Sequence, residues 1–183
     1  MRVISGKCRG TKLYTLEGNN TRPTLDRVKE SLFNIINFEI NDCIFLDLFA
    51  GSGAIGIEAA SRGAKKVYMS ENNKEAVKIV NKNIEKTKLQ DVITLYNMDF
   101  EKCIKDMLKD KFDIIYLDPP YKTDYAFIAT KLLLEKKLVT DKTLIILETD
   151  NEQIVENQFE KLNLKEINKK KYGRACLLFY QTN

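Results

Sequence analysis

The sequence predicts an α/β fold: a mostly parallel seven-stranded sheet with helices on both faces, finished by a C-terminal antiparallel hairpin and preceded by a small basic N-terminal β-ribbon and helix. Three observations predict it. Short apolar runs of strand type alternate with segments of helical period, which demands right-handed crossovers and parallel pairing. Successive runs stop at an acid or a glycine turn. The last two runs flank Tyr172-Gly173, a tight-turn pair, so they form a hairpin.

Residues 1–16, MRVISGKCRGTKLYTL, alternate roughly and are broken by Gly6 and Gly10, which reads as a short β-ribbon showing Arg2, Lys7, Arg9 and Lys12. Gly18 to Asn20 makes a loop. Thr24 is placed to cap a helix with Asp26 in its first turn and Leu25, Val28, Leu32 and Ile35 at helical spacing. That helix packs on one side and presents Arg22, Arg27 and Lys29 on another. Residues 1–40 are thus expected to be a basic extension on a core formed by 41–183.

Cys43 to Phe49 reads as a buried strand, and Ala50-Gly51-Ser52-Gly53-Ala54-Ile55-Gly56 follows it directly. A helix then runs from Ala54 to Gly63, a natural stop. Lys66 to Ser70 is the second strand, ending at Glu71. Ala76, Val77, Val80 and Ile84 mark the next helix, and Val92 to Tyr96 the third strand, closed by Asn97-Met98-Asp99. Cys103, Ile104, Met107 and Leu108 form a helical stripe before the fourth strand, FDIIYLDPPY, residues 112–121. A helix through Ile128, Leu132 and Leu133 leads to a fifth strand, Thr143 to Leu147, closed by Glu148. Helical Ile154 to Phe159 precedes the hairpin strands Leu164 to Lys171 and Arg174 to Tyr180.

In a parallel sheet of this kind the C-terminal strand ends lie along one edge, where ligands bind. Asp47 to Gly53, Glu71, Asp99 and Asp118 to Tyr121 all fall there. Four separate turns have no packing reason to carry acids at the same end.

Composition removes several chemistries. The 183 residues are 44% hydrophobic, enough for one good core, and none is histidine. His-based nucleophile systems and His-containing zinc sites are therefore out. The four cysteines are scattered without metal-ligand spacing, so they are expected to be reduced core thiols, and no metal is expected. No apolar run is long enough to span a bilayer and the first ten residues lack a signal-type apolar stretch, so a cytoplasmic protein without a membrane partner is expected.

The net charge of +4 is unevenly distributed. Residues 1–30 carry seven Lys/Arg against three Asp/Glu, residues 160–183 six against two, and the stretch between them 17 against 21. Basic flanks suit a polyanion, and an acidic centre suits a cationic or donor-rich ligand. A solvated lysine-rich surface is the competing reading.

The DPPY stretch carries the most specific chemistry. Pro119 and Pro120 have no N–H and hold the residues before them extended, leaving the Asp118 carboxylate and nearby carbonyls as acceptors. Tyr121 adds a flat face for stacking on a nucleobase, worth about 1–3 kcal/mol per base. Such a set suits an exocyclic amine on a planar base. Two accepted N–H bonds turn the lone pair out of conjugation and aim it at an electrophile. Read alone, the same stretch also fits a buried strand ending in a proline turn.

Gly51, Gly53 and Gly56 satisfy G-x-G-x-x-G, so a nicotinamide enzyme has to be weighed. Asp47 would repel a pyrophosphate, no residues are placed for hydride chemistry, and DPPY would have no role. S-adenosylmethionine, with its cationic sulfonium and amine and its adenosine donors, suits the acids better. Glu71, twenty positions after Gly51, stands where doubly wound folds hold ribose hydroxyls.

LDLFAGSGAIGIEAASRGA, the acid in MSENN and DIIYLDPPY resemble the class I methyltransferases of exocyclic amines. MRVISGKCRGTKL with TRPTLDRVKESLFNII resembles the RsmD family, the small-subunit (16S) ribosomal RNA guanine-N2 methyltransferases. The resemblance covers essentially the whole chain. It implies a Rossmann-like class I methyltransferase fold over residues 41–183. It implies S-adenosylmethionine, leaving as S-adenosylhomocysteine, at Asp47, Phe49, Gly51, Gly53, Glu71, Asn72 and Asp99, with Asn97 or Met98 an alternative to Asp99 at the adenine. Amine recognition falls to Asp118, Pro119 and Tyr121. The implied substrate is guanine N2 in the RNA of an assembled small subunit or late precursor. Arg2, Lys7, Arg9, Arg22, Arg27, Lys170 and Arg174 are the candidate RNA contacts, with Lys169 and Lys171 beside them, and a monomer is the default. Two alternatives stay open: the same chemistry on adenine N6 in another RNA or DNA, and a non-catalytic RNA-binding factor.

Overall fold

The computed structural model describes residues 1–16, 23–120 and 122–182, with the side chains of residues 23–25 left aside. Seven strands form one sheet in the order β3-β2-β1-β4-β5-β7-β6. They are β1 (Ile44–Asp47), β2 (Lys66–Glu71), β3 (Ile93–Asn97), β4 (Ile114–Leu117), β5 (Leu144–Thr149), β6 (Leu164–Tyr172) and β7 (Ala175–Thr182). The first five are parallel; β7 runs antiparallel to both β5 and β6.

The central strands β1, β4, β5 and β7 are apolar almost throughout because both faces are covered, whereas the edge strand β6 is mostly charged and exposed. Helices α1 (Pro23–Ile35), α2 (Ala54–Ser61) and α3 (Lys74–Thr87) cover one face; α4 (Phe100–Lys102), α5 (Tyr125–Glu135) and α6 (Glu152–Phe159) cover the other. β4 shows the division by alternation. Ile114 and Tyr116 belong to the first core, Ile115 and Leu117 to the second. Among the described residues no helix is long and apolar enough to cross a membrane.

The strand order reverses between β1 and β4, so the loops after these two strands diverge and open a crevice at their C-terminal ends. Antiparallel pairing carries a further element to that edge. Thr149 pairs with Cys176 and Tyr172 with Ala175, so the tip of the β6–β7 hairpin rises beside the end of β5. The Tyr172 hydroxyl is hydrogen-bonded to that of Ser31 on α1.

Several elements differ from their sequence expectation. The N-terminal ribbon is a single antiparallel bridge, Arg2 with Lys12, amid turns. Val3 N donates to Thr11 O, Gly10 N to Val3 O and Leu13 N to Met1 O across that bridge, and the core holds the segment as well. Gly6 sits at φ +81°, and a Cβ there would lie 1.9 Å from the Ser61 carbonyl oxygen, so only glycine lets the chain approach α2 so closely. Ile4 N and Ser5 N donate to the buried Glu58 carboxylate at 2.8 and 2.9 Å. Helix α1 begins at Pro23, so Thr24 is inside it, not its cap. The helix expected around Cys103 is the three-residue α4 followed by a π-helical turn, Cys103–Met107, closed by Leu108 N donating to Cys103 O. That wider turn buries Ile104 and Leu108 and leaves Met107 exposed. β5 runs through Glu148 to Thr149, so Glu148 is a buried strand residue, not a terminator. Cys43, Cys103 and Cys176 are buried free thiols and Cys8 is half-buried.

Candidate active site

Turning out of β1, the chain passes Asp47, Phe49 and Gly51 into α2. Gly51 takes φ +55° and Gly53 φ +79°, a left-handed pair that lets the strand reverse into the helix. Gly51 N donates to Glu71 Oε2 at 2.8 Å, and Asn73 N to Glu71 Oε1 at 2.8 Å, so the β2 carboxylate ties the two loops together. Each oxygen keeps a lone pair for a further donor.

These loops, the end of β3 and the DPP segment enclose a cavity of about 670 Å³. Its walls include Phe49, Gly51, Glu71, Asn72, Asp99, Asp118 and Pro119, seven of the residues singled out in the sequence. Met98 is also on the wall and Asn97 is not. Asp99 caps α4 by accepting from Glu101 N at 2.8 Å. Gly53 does not line the cavity. A Cβ there would come within 3.0 Å of Val80 Cγ1, so this glycine serves the turn and the α2–α3 packing. Gly56 does the same against Met69 of β2 at 2.8 Å. Tyr121 and Arg22 lie outside the described residues.

Behind the Gly51 loop a second cavity of about 170 Å³ is lined by Asp47, Tyr116, Asp118 and Glu148. Asp47 is 1% exposed; its Oδ2 accepts from Gly56 N at 3.3 Å and its Oδ1 has no partner among the described residues. Burial pushes its pKa up to about 7, against the pull of the Gly56 and Phe49 N–H groups and with a further push from Glu71. Burial raises the Glu148 pKa, opposed by the hydrogen bond from Tyr116. At Asp118, removal from bulk water raises the pKa, followed by the charges of Glu148 and Asp47. The residue is nonetheless exposed on the cavity wall. With water on one side, the neighbouring Glu148 and Asp47 carboxylates are what hold the Asp118 carboxyl above the ordinary range.

Some site residues were not anticipated. Tyr125 and Phe100 line the larger cavity with Phe49; the three rings lie 5.1–6.5 Å apart, and Tyr125 is within 5° of parallel to Phe49. Lys29, expected to face outward, is buried at 2% exposure, 3.3 Å from Glu58 and donating to Arg2 O at 2.6 Å. It borders the smaller cavity. Its spacing gave the clue: Lys29 stands four after Leu25 and three before Leu32, on the apolar stripe.

Arg2, Lys7, Arg9, Arg27, Lys170 and Arg174 are all exposed. Within the lysine run, Lys169 pairs with Glu156 and Lys171 with Glu152 at 2.6 Å. Lys170 and Arg174 make no ion pair with the described residues, and Arg174 stands at the hairpin tip by the site edge. Another cavity, about 410 Å³, lies at the opposite end of the strands by Cys43, Asp113 and Leu144, away from every one of these residues.

Comparison with known proteins decides the family. The family described as "Conserved hypothetical protein 95" matches residues 1–181. The Haemophilus influenzae protein named ribosomal RNA small subunit methyltransferase D is 39% identical over 157 residues, 84% of this chain and 80% of that one. The chain belongs to the RsmD family. A solved Escherichia coli structure, provisionally described as a methyltransferase, superposes with TM-score 0.85 at 30% identity over 100% of this chain and 98% of its own. The ribosomal protein L11 methylase of Lactobacillus delbrueckii shares the fold at TM-score 0.70 and 18% identity, covering 84% of this chain and 77% of that one. The fold is that of the class I methyltransferases.

Proposed function

We propose that this RsmD-family chain is an S-adenosylmethionine-dependent methyltransferase that modifies the exocyclic N2 amine of a guanine in small-subunit ribosomal RNA. The observation that carries it is the meeting of Asp118 and Pro119 with Glu71, Asn72 and Asp99 on one cavity wall, with the unpartnered Asp47 behind it. The names of the RsmD-family relatives support the ribosomal RNA substrate.

The residues fit the cofactor. Acids meet a cation and hydroxyl donors, the aromatic trio offers flat faces to an adenine, and the orphaned Asp47 oxygen is a free acceptor. When bound, the cofactor supplies a methyl group already activated on a sulfonium. Glu71 would hold the ribose, Phe49, Asn72, Met98 and Asp99 the adenine side, and Asp47 and Gly51 the amino-acid side.

Catalysis by the chain is then largely positioning and electrostatics. Asp118 and the Pro119 carbonyl accept the two N–H bonds of the amine and turn its lone pair out of conjugation. Asp118 takes the proton that the amine sheds once alkylated, and its raised pKa improves it as that acceptor. Arg2, Lys7, Arg9, Arg22, Arg27, Lys170 and Arg174 supply phosphate contacts, on a chain we take to be a cytoplasmic monomer.

Transfer of labelled methyl groups to unmodified small subunits, naked ribosomal RNA and DNA in parallel tests the reading. Label in subunit RNA recovered as N2-methylguanosine supports it. Label as N6-methyladenosine, or in DNA alone, overturns the substrate.

A further inference from the structure

Glu148 is a buried acid at the site edge that does not line the larger cavity but lines the two smaller ones beside Asp118 and the prolines. In the parallel β4–β5 pairing Leu117 lies opposite Leu147, so the next residues, Asp118 and Glu148, are neighbours at the C-terminal edge. Glu148 is 6% exposed, yet it lines the small cavity with Asp118 and also a cavity of about 330 Å³ behind Pro119 and Pro120. The carboxylate is fixed in place. The buried Tyr116 hydroxyl donates to Oε2 at 2.6 Å, and among the described residues no side chain donates to Oε1. Lys29 borders the same small cavity, but its charge is committed to Glu58 and the Arg2 carbonyl.

Oε1 opens onto cavity space with no side-chain donor among the described residues, and an amide would serve Tyr116 equally well. The free oxygen therefore suits a donor that arrives with the substrate. Guanine presents N1–H directly beside its N2 amine. Adenine presents a bare lone pair at N1 beside its amine. An acceptor next to the pair that holds the amine reads that difference.

We propose that Glu148 is the base-specificity residue: its free oxygen accepts guanine N1–H while Asp118 and the Pro119 carbonyl hold the N2 amine. Adenine is rejected because its N1 lone pair would face the carboxylate. The proposal rests on the guanine-N2 reading, and the experiment separates the two.

Methylated subunit RNA is first digested to locate the modified nucleotide and identify it. A product other than N2-methylguanosine defeats the guanine reading itself. Subunit RNA is then ligated with either guanine or 2-aminopurine at that nucleotide; the analogue keeps the amine but has a lone pair in place of N1–H. Wild-type enzyme is expected to prefer guanine by roughly 10- to 100-fold in kcat/KM, the usual worth of a hydrogen-bonded base edge. In Glu148→Ala the preference falls toward unity, chiefly through loss of the guanine rate, with the KM for S-adenosylmethionine unchanged. Glu148→Gln, isosteric and safer for folding, also relaxes the preference because its amide can turn an NH₂ to the analogue. A wild-type enzyme indifferent to the analogue overturns the proposal. So does a folded Glu148→Gln with the full preference, or an effect confined to the KM for the cofactor.

Discussion

Truncating Glu58 is expected to release the N-terminal segment. Glu58 is fully buried, and its two oxygens accept from Ile4 N at 2.8 Å, Ser5 N at 2.9 Å and Arg62 Nε at 2.8 Å, with Lys29 Nζ at 3.3 Å. Glu58→Ala takes an acceptor from all four donors and leaves the buried Lys29 ammonium without its counter-charge, with only the Arg2 carbonyl still accepting from it. Removing one partner of a buried pair costs about 3–5 kcal/mol. Two stranded backbone N–H groups would add about 1–3 kcal/mol each if they stayed dry. Detachment of residues 1–16 lets water reach them, so the loss should settle at about 3–5 kcal/mol. For a chain of this size that lowers Tm by roughly 6–20 °C. Urea unfolding followed by circular dichroism measures it. Lys29→Met added to Glu58→Ala should recover part of the loss, because it removes the uncompensated charge. A Glu58→Ala loss below about 1 kcal/mol, the size of an exposed pair, would refute this account of how the segment is held.

Three further outcomes are expected. Gly6→Ala forces a Cβ against the Ser61 carbonyl at φ +81° and should cost at least about 1–3 kcal/mol, the price of one strained residue, visible by the same unfolding assay. Asp47 has a folded pKa of about 7 against an ordinary 3.8, so its contribution to stability is full below 3.8 and is lost as pH rises through about 7. A cationic ligand prefers the ionised form; affinity for S-adenosylmethionine by calorimetric titration should tighten between about pH 6 and pH 8, and Asp47→Asn should flatten the trend. Tyr125→Ala opens one side of the aromatic trio and should weaken that affinity by roughly 5- to 10-fold, on the scale of one aromatic pair.

The layout of the fold was legible because strand and helix periods differ and each parallel strand must end at the same edge. That logic brought Asp47, Glu71, Asp99 and Asp118 together without any coordinate. It failed where a residue's neighbours come from distant elements. Glu148 reads as a strand terminator until β7 is seen to pair beyond it. Glu58 is not among the residues the sequence singles out, although a lone acid in the otherwise uncharged AIGIEAAS helix is a sign of burial and pairing. The N-terminal ribbon is shorter than its alternation suggests, because alternation cannot show that Ile4 N and Ser5 N go to a helix carboxylate. Gly53 fits the ligand fingerprint, yet the space it saves is against Val80. Tyr125 gave no signal, since its ring meets Phe49 and Phe100 only through the turn after DPPY.

Asp118 carries the central claim, and its replacement separates chemistry from binding. Asp118→Ala should slow methyl transfer to small-subunit RNA by on the order of 100-fold or more, as loss of an electrostatic positioning group does. Calorimetric affinity for S-adenosylmethionine should stay close to wild type. A variant that turns over at near wild-type rate, or one that loses turnover only in step with cofactor binding, would contradict the assignment of Asp118 to the amine.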